Sequence, residues 1–214
     1  MFKFLKPKKQ KQLGNFLIAP QPGISLGASI IADNRLPENL REPVLISFGT
    51  RDGHYDTCAE RLEANCREVG QQCSIETIPA CSRANACLYK PTFIKFKLLM
   101  LGRPVLWLDV DSQLTGKIEL PGGNWDIATL RNQRHKLNDY SSQVILFNPT
   151  VTALRFLELW EQFCSSPWLE GGLDHRRFNY ARHVLDGGFA EVDLSPMLEG
   201  KLVGDAGTKK EQTF

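Results

Sequence analysis

Pro104-Val105-Leu106-Trp107-Leu108-Asp109-Val110-Asp111 is a short apolar run that stops on two carboxylates one residue apart. Read as a strand over 105–109, it delivers both aspartates to one end of a sheet. Side chains of an extended segment alternate faces, so Asp109 and Asp111 are expected to point the same way. Two residues of strand rise set them roughly 6–7 Å apart at the backbone. One metal ion, or a metal and its water, bridges that gap. Mg²⁺ and Mn²⁺ take oxygen ligands and need few carboxylates from the protein when a diphosphate supplies the rest. The plainer alternative is a strand-to-loop turn in which the aspartates cap the backbone.

Upstream, Val44-Leu45-Ile46-Ser47-Phe48 has the near-continuous apolar character of a buried parallel strand. Gly49 to Gly53 turns the chain. A helix is expected from about Tyr55 to Val69, where Cys58, Leu62, Cys66 and Val69 recur at helical spacing and Gly70 stops it. Ser74–Ile78 reads as a second strand. Pro79–Leu88 reads as irregular, with Pro91 in the first turn of a helix that runs to Gly102.

Strand, helix, strand, helix, strand is the repeat of an α/β domain with a mostly parallel central sheet flanked by helices. Ligands of such sheets sit beyond the carboxyl ends of the strands, where the two aspartates fall. Downstream, strands are expected near Trp125–Thr129 and Val144–Phe147, with a polar linker between them. Thr150 is placed to cap a helix that buries Leu154, Leu157 and Phe163. Asp174 opens a further helix with Phe178, Ala181 and Leu185 on one side, ended by Gly187 and Gly188.

The chain has 214 residues, enough for one sizeable domain. Residues 1–40 read as a basic tail and irregular lead-in, 41–199 as the domain and 200–214 as a polar C-terminal tail. Five lysines among the first eleven residues, beside Phe2, Phe4 and Leu5, suit contact with an anionic membrane surface; a solvated tail is the simpler reading. No stretch is long and apolar enough to span a bilayer, and the start lacks the apolar middle of a signal peptide. The expected location is therefore the cytoplasm, with the inner membrane surface as the extension of that reading. A net charge of +2 argues against nucleic acid as a partner. Arg131, Arg134, His135 and Lys136 form a local basic patch, read as a solvated loop or a contact for an anionic substrate. The six cysteines form no CxxC pair and no zinc-like spacing; Cys58 and Cys66 look like core filler.

Other positions carry chemistry on weaker grounds. Thr50, Arg51 and Asp52 follow the first strand, where a parallel sheet often meets a nucleotide, though a simple turn fits as well. Lys90 precedes the helix that leads into the aspartate strand. Asp174, at a helix start, is either a cap or a catalytic group. Trp125, beside Asp126, is suited to stack on a sugar or to fill the core. Asn179 lies on a helix face.

Lys90-Pro91-Thr92-Phe93-Ile94 followed by Val105 to Asp111 resembles the nucleotide-diphospho-sugar transferases of the GT-A fold. The later order matches too: Trp125-Asp126-Ile127-Ala128, Gln143 to Asn148, Phe156 to Trp160, then Asp174-His175-Arg176-Arg177-Phe178-Asn179. The resemblance runs over roughly residues 43 to 185. It implies a single GT-A-like, Rossmann-like domain that moves a monosaccharide from a nucleoside diphosphate to an acceptor hydroxyl. Asp109 and Asp111 would hold Mn²⁺ or Mg²⁺ and the sugar nucleotide, and Thr50, Arg51 and Asp52 would border the nucleoside. Lys90 would approach the phosphates or donor sugar, and Asp174 would act as base if the reaction inverts. Trp125, Asp126 and Asn179 would meet sugar or acceptor, the acceptor being a glycan, a lipid-linked sugar or a protein. Two other functions stay open: a non-catalytic nucleotide-sugar or glycan binding module on the same scaffold, and a different metal-dependent phosphotransferase or nuclease.

Overall fold

The computed structural model describes residues 42–51, 53–131, 140–166 and 174–203. The lysine-rich start, Asp52, Arg134, His135, Lys136 and most of the C-terminal tail lie outside the described residues.

The chain opens on β1 (Val44–Thr50), all seven residues of which are buried. It continues through α1 (His54–Val69), β2 (Cys73–Ile78), α2 (Arg83–Leu101) and β3 (Val105–Leu108). A short β4 (Gln113–Leu114) precedes β5 (Ile127–Arg131) and β6 (Tyr140–Phe147). Then come α3 (Val151–Ser165), α4 (Asp174–Val184), β7 (Glu191–Asp193), α5 (Ser195–Leu198) and β8 (Leu202–Val203).

Six strands form one sheet in the order β2-β1-β3-β6-β5-β7. β2, β1 and β3 run parallel, and β5 and β7 run parallel to each other. β6 alone is antiparallel, to both β3 and β5. The other five strands therefore share one direction, and the sheet is mostly parallel as the sequence suggests. β4 and β8 make a separate antiparallel ribbon that ties Leu202 to Leu114.

The alternation of the strands sorts the core into two layers. Ile46, Phe48, Trp107, Ile145 and Phe147 face α2, α3 and α4, packing on Phe93, Ile94, Phe156, Trp160 and Phe178. Leu45, Leu106, Leu108, Val144 and Leu146 face the other side, against Leu62 and Cys66 of α1 and Leu198 of α5. Burial on both faces is why these strands read as continuous apolar runs. α1 ends as expected, with Gly70 in the left-handed region at φ 70° donating its N–H to the last turn. Thr150 caps α3 by accepting from Ala153 N.

One helix departs from the sequence reading. α2 does not begin at Pro91; it begins at Arg83, capped by Ser82, whose hydroxyl accepts from Asn85 N at 3.2 Å. Pro91 sits inside the helix and is buried. It lacks the N–H that would bond back one turn, a local cost that packing of the two flanking turns offsets. The earlier start sets Arg83, Ala86, Cys87 and Lys90 at helical spacing on one face. β3 also stops one residue early, at Leu108, so the aspartates lie in the turn that follows it. β6 begins at Tyr140 and draws buried Ser141 and Ser142 into the sheet, where a polar linker is the sequence expectation.

Candidate active site

The carboxyl ends of β1 and β3 are neighbours in the sheet, and a cleft opens above them. Phe48 and Thr50 line it from β1, Trp107 from β3, and Asp109, Val110 and Asp111 from the turn beyond. Tyr55 closes it on the α1 side. The α2 face contributes Arg83, Ala86, Cys87 and Lys90, with Cys81 just before the helix. Its cavity volume is ≈ 100 Å³, and all the empty space out to its open mouth comes to ≈ 610 Å³.

The turn is pinned from several sides. Asp109 N donates to Gln143 O at 2.8 Å, and Ser112 N donates to Asp109 O at 3.0 Å. Ser47 Oγ donates to Leu108 O at 2.6 Å, and Arg61 Nη2 donates to Asp111 O at 3.1 Å. Asp109 and Asp111 thus line one cleft from a hydrogen-bonded turn and not from the strand itself.

Lys90 is the centre of the charge pattern. The residue is 4% exposed, and its ammonium is 2.8 Å from Asp109 Oδ1 and 3.1 Å from Ser142 O and forms an ion pair with Asp174 Oδ2. It lies 5.2 Å from the centre of the Trp107 ring. The Trp107 indole N–H also donates to Asp109 Oδ1, at 2.9 Å. Burial alone would pull the Lys90 ammonium down, but Asp109 and Asp174 outweigh it and hold its pKa above the usual lysine value. Burial pushes the Asp109 carboxyl up to about 6, with Lys90 pulling the other way and Asp174 adding to the rise.

Among the residues that the sequence marks, Thr50, Lys90, Asp109 and Asp111 come together at the cleft. Asp174 is 5% exposed and meets the cleft residue Lys90 as an ion pair. Arg51 is exposed, its N–H bonded to Ile78 O, and is not among the lining residues. Trp125, Asp126 and Asn179 are not brought to the cleft. Trp125 is buried in the core layer under α1 and α5. Asp126 accepts from Thr150 Oγ1 at 2.6 Å and Ala190 N at 2.8 Å. Asn179 accepts from Tyr140 N at 2.9 Å and donates to Tyr140 O at 3.0 Å and His175 O at 2.9 Å. Asp126 and Asn179 are thus bonded to groups of the fold itself.

Trp107, Ser142, Tyr55 and Arg83 are site residues that the sequence reading passes over. Trp107 stands two residues before Asp109, at the end of the strand that leads into the turn.

The donor chemistry fits a hard divalent cation. Asp109 and Asp111 offer carboxylate oxygens to one cleft, and both hydrogen bonds to the Asp109 side chain fall on Oδ1. Among the described residues no group of three or more His, Cys, Asp or Glu side chains is placed to hold a metal. Two carboxylates are a donor set that an ion such as Mg²⁺ or Mn²⁺ would accept if phosphate and water completed its shell. They do not make a closed structural site of the zinc type.

No family model matches this chain, and no curated protein does. Among solved structures it is similar to a glycosyltransferase involved in the glycosylation of the major capsid of PBCV-1, with a TM-score of 0.53 and 14% identity over 71% of this chain and 83% of that one. The fold is GT-A-like. At such identity the likeness is one of fold. The glycosyltransferase GlyE of Streptococcus pneumoniae is also similar, with a TM-score of 0.49 and 12% identity. This GT-A-like chain covers 46% of the GlyE chain. No helix among the described residues is long and apolar enough to cross a membrane.

Proposed function

We propose that this chain is a metal-dependent glycosyltransferase that moves a monosaccharide from a nucleoside-diphosphate sugar to an acceptor hydroxyl. The observation that carries the reading is the cleft at the ends of β1 and β3, with Asp109 and Asp111 on one wall and Lys90 and Arg83 on the other. Asp109 and Asp111 would hold Mn²⁺ or Mg²⁺; the bound ion supplies charge that offsets the departing diphosphate. Thr50 borders the nucleoside. Lys90 keeps Asp109 oriented and its charge balanced. In this reading Trp125, Asp126 and Asn179 serve the fold.

The test is release of nucleoside diphosphate across a panel of donors, with and without Mn²⁺. Turnover or donor hydrolysis that needs the metal is the expected result, abolished by Asp109→Asn and Asp111→Asn in chains that still melt cooperatively. An intact protein with no metal-dependent release from any donor contradicts it.

A second reading, a nucleotide-sugar binding module without turnover, is favoured by the engagement of Asp109 with both Lys90 and Trp107. It predicts nucleoside-diphosphate binding with weak dependence on Mn²⁺ and no release.

A further inference from the structure

We propose that Asp174 is a positioning residue: its buried carboxylate clamps the Lys90 ammonium, and through it fixes which oxygen of Asp109 faces the cleft. The inference rests on the metal–diphosphate reading above and assigns Asp174 a task other than proton transfer.

An ammonium has three N–H donors. Lys90 has three oxygen partners, Asp109 Oδ1, Ser142 O and Asp174 Oδ2, contributed by the turn after β3, by β6 and by α4. Asp109 Oδ1 and Ser142 O accept hydrogen bonds from the ammonium, and Asp174 Oδ2 meets it as a buried ion pair that accepts no hydrogen bond; with these three oxygens around it, Lys90 is turned to the protein and not to a phosphate. Asp174 is the first residue of α4 and is absent from the cleft lining. Its contact with the site runs through Lys90. On the far side, Lys90 and the Trp107 indole both grip Oδ1 of Asp109. That grip sets the carboxylate's rotation and leaves Oδ2 as the oxygen not held by either donor. Groups that orient a metal-binding carboxylate from behind influence affinity strongly, by about 10–100-fold when removed. Without Asp174 the ammonium loses one of its two anionic partners, and the orientation of Asp109 loosens with it.

The test is a double-mutant cycle in the full chain: unaltered protein, Asp174→Asn, Lys90→Met and the double variant. The readout is the dissociation constant for Mn²⁺, followed by its paramagnetic resonance signal, in the presence of each of a panel of nucleoside diphosphates. Each single change is expected to weaken Mn²⁺ by about 10–100-fold, and Asp174→Asn is expected to add nothing once Lys90 is gone. Additive losses overturn the inference. So does an Asp174→Asn chain that binds Mn²⁺ normally yet fails to turn over, because Asp174 would then act on substrate directly. Unaltered protein that takes up no Mn²⁺ sinks the metal reading first, and this inference falls with it. If Asp174→Asn does not fold, the clamp is read in the unaltered chain by nitrogen-15 NMR of the lysine side chains. One ammonium signal protected from exchange and removed by Lys90→Met is expected, and a freely exchanging Lys90 overturns the clamp.

Discussion

Gly49 of β1 lies against the backbone carbonyl of Tyr55 in α1: a Cβ at Gly49 would stand 2.5 Å from that oxygen and 3.3 Å from the Ala59 Cβ. Both Tyr55 and the neighbouring Thr50 line the cleft, so this close approach sets one wall of the site. Gly49→Ala forces strand and helix apart, and neither is a flexible partner. It is expected to cost about 1–3 kcal/mol in urea unfolding and to weaken nucleoside-diphosphate binding. Unchanged stability would mean that α1 does not pack on β1 in this way.

Asn179 offers a contrast. It mimics a backbone partner for Tyr140 at the start of β6. Asn179→Ala leaves those groups unpaired and is expected to cost about 1–3 kcal/mol of stability. Metal-dependent nucleotide affinity should stay as it is, because the side chain is spent on the fold. A loss of affinity without a loss of stability would return Asn179 to the ligand.

Burial separates the thiols. It pushes Cys66 and Cys164 up to about 12 and Cys87 up to about 11, from an ordinary value of 9.0. A raised pKa keeps each of them protonated and unreactive at pH 8. Iodoacetamide on the native chain, followed by peptide mass mapping, should label exposed Cys81 first and spare these three. The same shifts fix a sign for stability. Between pH 9 and the folded-state values the unfolded chain releases protons that the folded chain holds, so stability falls as pH rises through that window. Urea midpoints that rise over this range would contradict the burial of the thiols.

The core strands are readable in the sequence because physics leaves them one choice. Val44 to Phe48 and Val105 to Leu108 are apolar at nearly every position since helices cover both faces of the sheet. The start of α2 is hidden behind Pro91, a local helix breaker that packing of Phe93, Ile94 and Leu98 overrides. The site is readable in its parts and not in its wiring. Lys90 and Asp109 are 19 residues apart, and nothing local says that one ammonium joins them to Asp174. Asp126 and Asn179 carry ligand-like side chains, but each has a partner, 64 and 39 residues away, in a backbone group that only the folded chain brings near. A polar residue bonded to distant backbone has the same local sequence as one that waits for a substrate.

The most direct measurement of the central claim is calorimetric titration of nucleoside diphosphates into the full chain, with and without Mn²⁺, beside Asp109→Asn and Asp111→Asn. Saturable heat that needs Mn²⁺ in the unaltered protein and vanishes in both variants is the predicted result. Binding of equal strength in all three proteins, or no heat with any nucleoside diphosphate, would contradict it.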